Sequence, residues 1–164
     1  MNLDYVVEED PYGLELEVID SLRSGDVVVH STDYRGTNAP WGELMSTAAK
    51  IRGAVGCVCD SQVRDCKKII ALGFPVFASG IKPVDSKRRG CVMRYDVPIT
   101  AGEVLVNPGD IIFADFDGLV CIPQNIAEKA LEIATEKAHK ENLSRKELLE
   151  GKLLSEVYKK YGVL

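Results

Sequence analysis

The segment GAVGCVCDSQVRDCKKIIALGFPVFA, residues 53–78, decides how the chain folds. AVGCVC at 54–59 is a short apolar run bounded by glycine and polar residues, which reads as a buried strand. Asp60 or Ser61 carries a side-chain oxygen suited to capping a helix, and Val63, Cys66, Ile69 and Ile70 then recur at helical spacing. Gly73 is placed to end that helix in a left-handed conformation, and FPVFA at 74–78 is the next strand. Upstream, SGD at 24–26 launches the β-branched strand VVVH, and STDYRGTNAP follows as a polar loop. Pro40 stands near the first turn of a helix, WGELMSTAAKIR, that stops at Gly53 and buries Leu44, Met45, Ala48, Ala49 and Ile51. Strand, helix, strand, helix, strand in this order predicts an α/β unit with parallel strands and right-handed crossovers.

On either side the character changes. Residues 1–13 are acidic and end in Pro11, Tyr12 and Gly13, an arm leading into a short helix, LELEVIDSL, at 14–22. Residues 79–123 are rich in Gly, Pro and Asp between short β runs, CVMRYDVPI, EVLV, IIFAD and LVCIP, and predict compact β structure. From Asn125 onward the chain reads as helical, with Asn125/Glu128 and Ser144/Glu147 each spaced as a capping box. The charge-rich face of these helices is expected to be solvated or packed on another subunit. No linker composition divides the chain, so one domain over 1–164 is expected, with a core at 24–123 and a helical tail at 125–161.

Of 164 residues, 46% are hydrophobic, enough for a real core and against intrinsic disorder. Lys and Arg number 20 against 25 Asp and Glu, a net charge of −5 without the basic stripe that phosphate neutralisation requires, so nucleic acid is not expected as a direct partner. Five cysteines, Cys57, Cys59, Cys66, Cys91 and Cys121, include no CxxC pair and no histidine at zinc spacing. They read as free thiols of a reducing compartment, Cys57 and Cys59 on one strand face. No apolar run reaches membrane-span length and the N-terminus does not resemble a signal peptide, so a cytoplasmic protein without membrane contact is expected.

In parallel α/β sheets ligands bind at the carboxyl ends of the strands, where the helices begin. Glu43 lies in the first turn of one helix, and Arg64 and Asp65 in the first or second turn of the next, with twenty residues between Glu43 and Arg64. One winding brings them to the same edge. The first-turn amides of Leu44 and Met45, after Gly42, suit a small carboxylate, and Arg64 can grip the same group through two N–H bonds. Asp65 can hold a hard cation that keeps most of its waters. A cation beside a 2-oxo acid polarises the carbonyl and stabilises the enolate formed when a C3–C4 bond breaks, and Glu43 is placed to position or deprotonate a water. Capping and helix-dipole preferences alone also place acids at helix starts, so the pattern by itself licenses a small-anion site and no more.

WGELMSTAAKIRGAVGCVCDSQVRD, GFPVFASGIKP and YDVPITAGEVLVNPGDIIFADFDGLVCIP together closely resemble the RraA-like family, from about Gly25 to Pro123. That family includes divalent-metal-dependent 4-hydroxy-4-methyl-2-oxoglutarate aldolases and oxaloacetate decarboxylases. The resemblance implies an α/β fold, a swivelling β/β/α sandwich with C-terminal helices, assembled as trimers or hexamers with sites at subunit interfaces. It implies that Asp65 binds Mg²⁺ or Mn²⁺, that Arg64 contacts the 2-oxo acid, and that Glu43 orients a metal-bound water. It also implies that the Leu44 and Met45 amides receive the substrate carboxylate and that Glu141 reaches a neighbouring subunit's site. The family also contains regulators that bind ribonuclease E without the metal site; a non-catalytic protein with a ribonuclease partner is the alternative, against which Arg64 and Asp65 argue. The older menaquinone methyltransferase label of some members is set aside, because no glycine-rich nucleotide loop follows a strand.

Three departures follow from the resemblance. Glu43 stands where the aldolases tend to have Asp, one methylene shorter. Ser61 replaces a common glycine. The chain starts near the middle of the family's N-terminal pattern, so a strand is expected to be missing or Met1 to be a misassigned start. Elsewhere, His30 reads as structural, His139 as exposed, and Trp41 as a packing residue. Asp110, Asp115 and Asp117 read as turn formers, and Arg88 and Arg89 as a solvated loop tip.

Overall fold

β-branched valines at three of its four positions favour the extended conformation of Val27–His30 (β1), which pairs in parallel with Gly56–Val63 (β2), itself paired in parallel with Val76–Ile81 (β3). The computed structural model describes residues 12–32, 38–87 and 89–163; residues 1–11 of the acidic arm, Asp33 to Thr37 of the polar loop, Arg88 and Leu164 lie outside them. The sheet order is β1-β2-β3, with the intervening helices as the crossovers that parallel pairing needs. Two compact units are present, Met1–Pro108 and Gly109–Leu164.

In the first unit, helices Leu14–Ser21 (α1), Glu43–Arg52 (α2) and Cys66–Leu72 (α3) share one core with β2. Ile19, Ala49, Ala54, Cys57, Cys59, Val63, Ile69 and Phe74 are buried around a fully buried Trp41. The Cys57 and Cys59 thiols are pushed up chiefly by that burial, as apolar core residues should be. Gly53 ends α2 with φ +95, and a Cβ there would sit 2.9 Å from Ser24 Cα, so both backbone and neighbour require glycine. Gly73 ends α3 in the same left-handed region.

Three expectations are corrected here. β2 continues through Asp60 and Ser61 to Val63, so neither caps a helix. Asp60 is buried and accepts hydrogen bonds from Ser31 Oγ at 2.8 Å and the Thr32 amide at 3.0 Å. Leu44 and Ile51 of α2 and Ile70 of α3 are exposed, because a helix of this length turns only one narrow stripe to the sheet. CVMRYDVPI forms no continuous strand. Val92 makes one bridge to Gly13, Asp96 has φ +51, and pairing begins at Ile99–Ala101 (β4), antiparallel to Val104–Val106 (β5).

Trp41 stacks on Phe74 with ring centroids 6.5 Å apart, and its Nε1–H donates to Ser46 Oγ at 2.8 Å. It bridges to Val63 and so fastens the start of α2 to the end of β2. Trp41→Phe keeps the stacking and drops the N–H; a loss of about 1–2 kcal/mol is expected, read as a lower denaturant midpoint. The loss stays modest because Ser46 Oγ keeps its bond to the Gly42 carbonyl, 2.9 Å away.

The second unit pairs Ile111–Asp115 (β6) with Gly118–Ile122 (β7) antiparallel, then passes through a 3₁₀ turn, Gln124–Ile126, into Ala127–Leu149 (α4) and Leu154–Tyr161 (α5). The three aspartates sit at turns: Asp115 accepts from the Asp117 amide at 2.8 Å and Asp110 from that of Gln124 at 3.2 Å. Neither expected capping box forms. Asn125 lies in the 3₁₀ turn, and Ser144 is buried within α4, which runs on without a break there. Glu147 instead clamps α5 to α4 through Lys160 at 2.5 Å and Tyr161 at 3.0 Å, and Lys160 foremost pulls its carboxyl down to about 2. Among the described residues no helix is long and apolar enough to cross a membrane.

Candidate active site

Three segments meet at the carboxyl edge of the parallel sheet: Asn38–Gly42 ahead of α2, Arg64–Asp65 after β2, and Lys82–Asp85 after β3. Backbone hydrogen bonds lace them together. The Arg64 amide donates to the Trp41 carbonyl at 3.0 Å, Ala39 to Val84 at 2.7 Å, and Lys82 to Val63 at 3.0 Å. What converges here is therefore set by main-chain geometry and not by chance side-chain contact.

Arg64 and Asp65 precede α3 rather than lying inside its first turns, because β2 reaches Val63 before the chain can turn. Asp65 takes the N-cap position with φ 62 and ψ 26, a left-handed conformation that Asp tolerates better than most residues. Its side chain makes no cap bond to α3. It turns back instead, and Oδ2 accepts the Glu43 amide of α2 at 3.3 Å, placing a carboxylate at that helix's positive end. Arg64 Nε stands 3.7 Å from the same oxygen. Gly42 makes this closeness possible: a Cβ there would fall 2.9 Å from Asp65 Oδ2 and 3.0 Å from Arg64 Nε.

The Arg64 guanidinium is held on two further sides, one terminal nitrogen donating to the Ala39 carbonyl at 2.5 Å and the other pairing with Asp85 at 2.9 Å. Its side chain is only 22% exposed, whereas that of Asp65 is 45% exposed, so the carboxylate is the open member of the pair. Glu15 of α1 is buried against this cluster. Burial foremost pushes its carboxyl up to about 7, Arg64 opposing and the Asp85 charge reinforcing the rise. Burial, with Asp85, also raises the Tyr12 hydroxyl.

The structure thus brings Gly42, the Glu43 amide, Arg64 and Asp65 together. The Glu43 carboxylate faces α2 and α3, 3.4 Å from Thr47 Oγ1 and 3.7 Å from Lys68 Nζ. The Leu44 side chain is exposed and that of Met45 packs against the core. Glu141 lies on α4 in the second unit, 3.6 Å from Lys137 Nζ. Among the described residues no three His, Cys, Asp or Glu side chains cluster as a metal cage. One carboxylate open to water matches the other mode of binding, in which Mg²⁺ keeps several waters and takes one or two carboxylates plus substrate oxygens.

Asp85 and Glu15 were not anticipated. The signal for Asp85 lies in the loop after β3, which leaves the same sheet edge as the other two. Arg89 is exposed at the loop tip, donating to backbone carbonyls of Asp85 and Lys87. His30 is half-buried, 4.0 Å from Cys59 Sγ, and desolvation holds its imidazole below the usual range.

The model of the RraA-like family, described as aldolase/RraA, matches residues 6–121. A Halalkalibacterium halodurans protein provisionally named 4-hydroxy-4-methyl-2-oxoglutarate aldolase is 37% identical over 113 residues, 69% of this chain and 53% of the relative. An uncharacterised Methanocaldococcus jannaschii protein is 39% identical, over 73% of this chain and 57% of its own. The chain therefore spans about half the length of these curated relatives. Among solved structures, an uncharacterised Pseudomonas syringae protein superposes with TM-score 0.83 at 27% identity, covering 92% of this chain and 71% of the other. Streptomyces coelicolor RraAS2, described as an unusual member of the RNase ES inhibitor RraA protein family, superposes with TM-score 0.76 at 29% identity, covering 86% and 72%.

Proposed function

Because the chain belongs to the RraA-like family, we propose that it is a divalent-metal-dependent lyase that forms pyruvate. Its substrate is a 4-hydroxy-2-oxo dicarboxylic acid cleaved by retro-aldol chemistry, or oxaloacetate that it decarboxylates. The observation that carries this reading is the convergence of Gly42, the start of α2, Arg64 and Asp65 at one sheet edge, with no room for a Cβ between them.

Charge supports it. Arg64 is one cation beside the carboxylates of Asp65 and Asp85, so the bare cluster repels an anionic acid. Asp65 would hold Mg²⁺ or Mn²⁺, which would reverse that balance and supply Lewis-acid polarisation of the substrate's 2-oxo group. Arg64 binds the substrate carboxylate, and the Leu44 and Met45 amides at the positive end of α2 share its charge. Glu43 takes the proton of the 4-hydroxyl through a water. As the C4 oxygen becomes the carbonyl of a second oxo acid, or, with oxaloacetate, as C4 leaves as carbon dioxide, the C3–C4 bond breaks and its electron pair passes to C3 and the 2-oxo group; a proton delivered at C3 completes pyruvate. Glu141 from a neighbouring copy in a trimer or hexamer completes the site.

Pyruvate release from oxaloacetate and from 4-hydroxy-2-oxo dicarboxylic acids, followed with Mg²⁺ or Mn²⁺ and then with excess chelator, tests the proposal. Turnover that chelator abolishes and metal restores is expected. No turnover with either metal, together with an Asp65→Ala variant that behaves as wild type, sinks it. The similarity to RraAS2 keeps a second reading in play, a non-catalytic regulator of a ribonuclease. Binding of a purified RNase E-type enzyme that persists in the Arg64→Ala/Asp65→Ala double variant would favour that reading.

A further inference from the structure

We propose that Asp85 is a positioning residue, which fixes the plane of the Arg64 guanidinium so that its remaining N–H edge receives the substrate carboxylate; this rests on the lyase reading. An arginine side chain has several rotatable bonds, and one gripping a small acid in two-point geometry must have them frozen beforehand. The Ala39 carbonyl restrains one terminal nitrogen of Arg64, and Asp85, at 2.9 Å, restrains the other. The restraint is itself anchored. Asp85 Oδ1 accepts the Lys87 amide at 2.6 Å, leaving Oδ2 for Arg64. The residues just before it bond to the strand ahead of Arg64, Lys82 to Val63, and to the segment ahead of α2, Val84 to Ala39. Asp85 is therefore tied to both walls of the site.

Asp85→Asn keeps the size of the side chain and an oxygen for Lys87 while removing the charge that orients Arg64. KM for oxaloacetate and the inhibition constant of oxalate, a small dicarboxylate that needs no turnover to report binding, are each expected to rise about tenfold, with kcat nearly unchanged. Asp85→Glu restores the charge one methylene away and is expected to fall between the two. Wild-type values of both constants in Asp85→Asn overturn the proposal, as does a fall in kcat alone accompanied by a lower melting temperature. Should Asp85→Asn fail to fold, Asp85→Glu carries the test, and a wild-type KM there overturns it equally. A wild-type protein that neither turns over these acids nor binds oxalate overturns the lyase reading itself, whereas an active wild type with an unaffected variant overturns only the role of Asp85.

Discussion

Gly42→Ala is expected to lower kcat/KM for pyruvate formation by on the order of a hundredfold while leaving the protein nearly as stable as the wild type. The backbone at Gly42, φ −152 and ψ −171, is extended and open to any residue, so the new methyl group costs no backbone strain. What it meets are two functional side chains. Asp65 Oδ2 at 2.9 Å can withdraw into solvent, whereas Arg64, met at Nε 3.0 Å and Cγ 3.1 Å, must shift against the bonds that hold its guanidinium to Ala39 and Asp85. The stability cost is therefore confined to loosening these partly exposed polar contacts, about 1 kcal/mol. The same displacement breaks the relation between the carboxylate, the guanidinium and the first turn of α2, and misplacement of reacting groups is what catalysis tolerates least. Initial rates and thermal melts on the same preparation check both halves of this expectation. A variant as active as wild type would show that Asp65 and Arg64 need not stand as close as they do.

How much of this was legible in advance follows from what each feature depends on. The parallel pairing of β1, β2 and β3 and the stops at Gly53 and Gly73 rest on local periodicity and on backbone preferences of single residues, and both were readable. The convergence of Arg64 and Asp65 on the start of α2 followed from winding alone. The length of β2 was not readable, because Asp60, Ser61 and Gln62 carry the composition of a helix start. They stay extended only because Ser31 and Thr32 satisfy Asp60, Ser79 donates to the Ser61 carbonyl, and Trp41 bridges to Val63. Those partners are remote in sequence. The same holds for Asp85 and Glu15, which acquire meaning only once loops far apart in the chain are laced to one edge. Ser144 and Glu147 show the converse: a correct local motif was overridden because α4 continued and α5 supplied Lys160.

Glu15→Gln is expected to leave stability unchanged near pH 4.5 and to raise it progressively as pH increases, by about 3 kcal/mol above pH 7. The sign follows from the direction of the shift. Burial lifts the Glu15 carboxyl from 4.5 to about 7 in the folded protein. Below pH 4.5 both folded and unfolded chains hold the proton, and nothing is lost. Between 4.5 and 7 the unfolded chain releases it while the folded one keeps it, so the unfolded state gains stability with every step in pH. Above 7 both are ionised and the penalty is constant. The glutamine amide has no such titration. His30 works in the opposite sense, since its folded imidazole is held below the usual range and costs stability as pH falls below about 6.5, but it is present in both proteins and cancels in their difference. Chemical denaturation of wild type and variant from pH 4 to 9 measures that difference directly. A flat difference would mean that Arg64 neutralises Glu15 across the whole range. A buried carboxylate kept beside the one arginine of the site at this cost is consistent with Glu15 helping to set the charge that Arg64 presents. On that account the stabilised variant should also bind oxalate more tightly above pH 7, because Glu15 no longer competes there for the guanidinium.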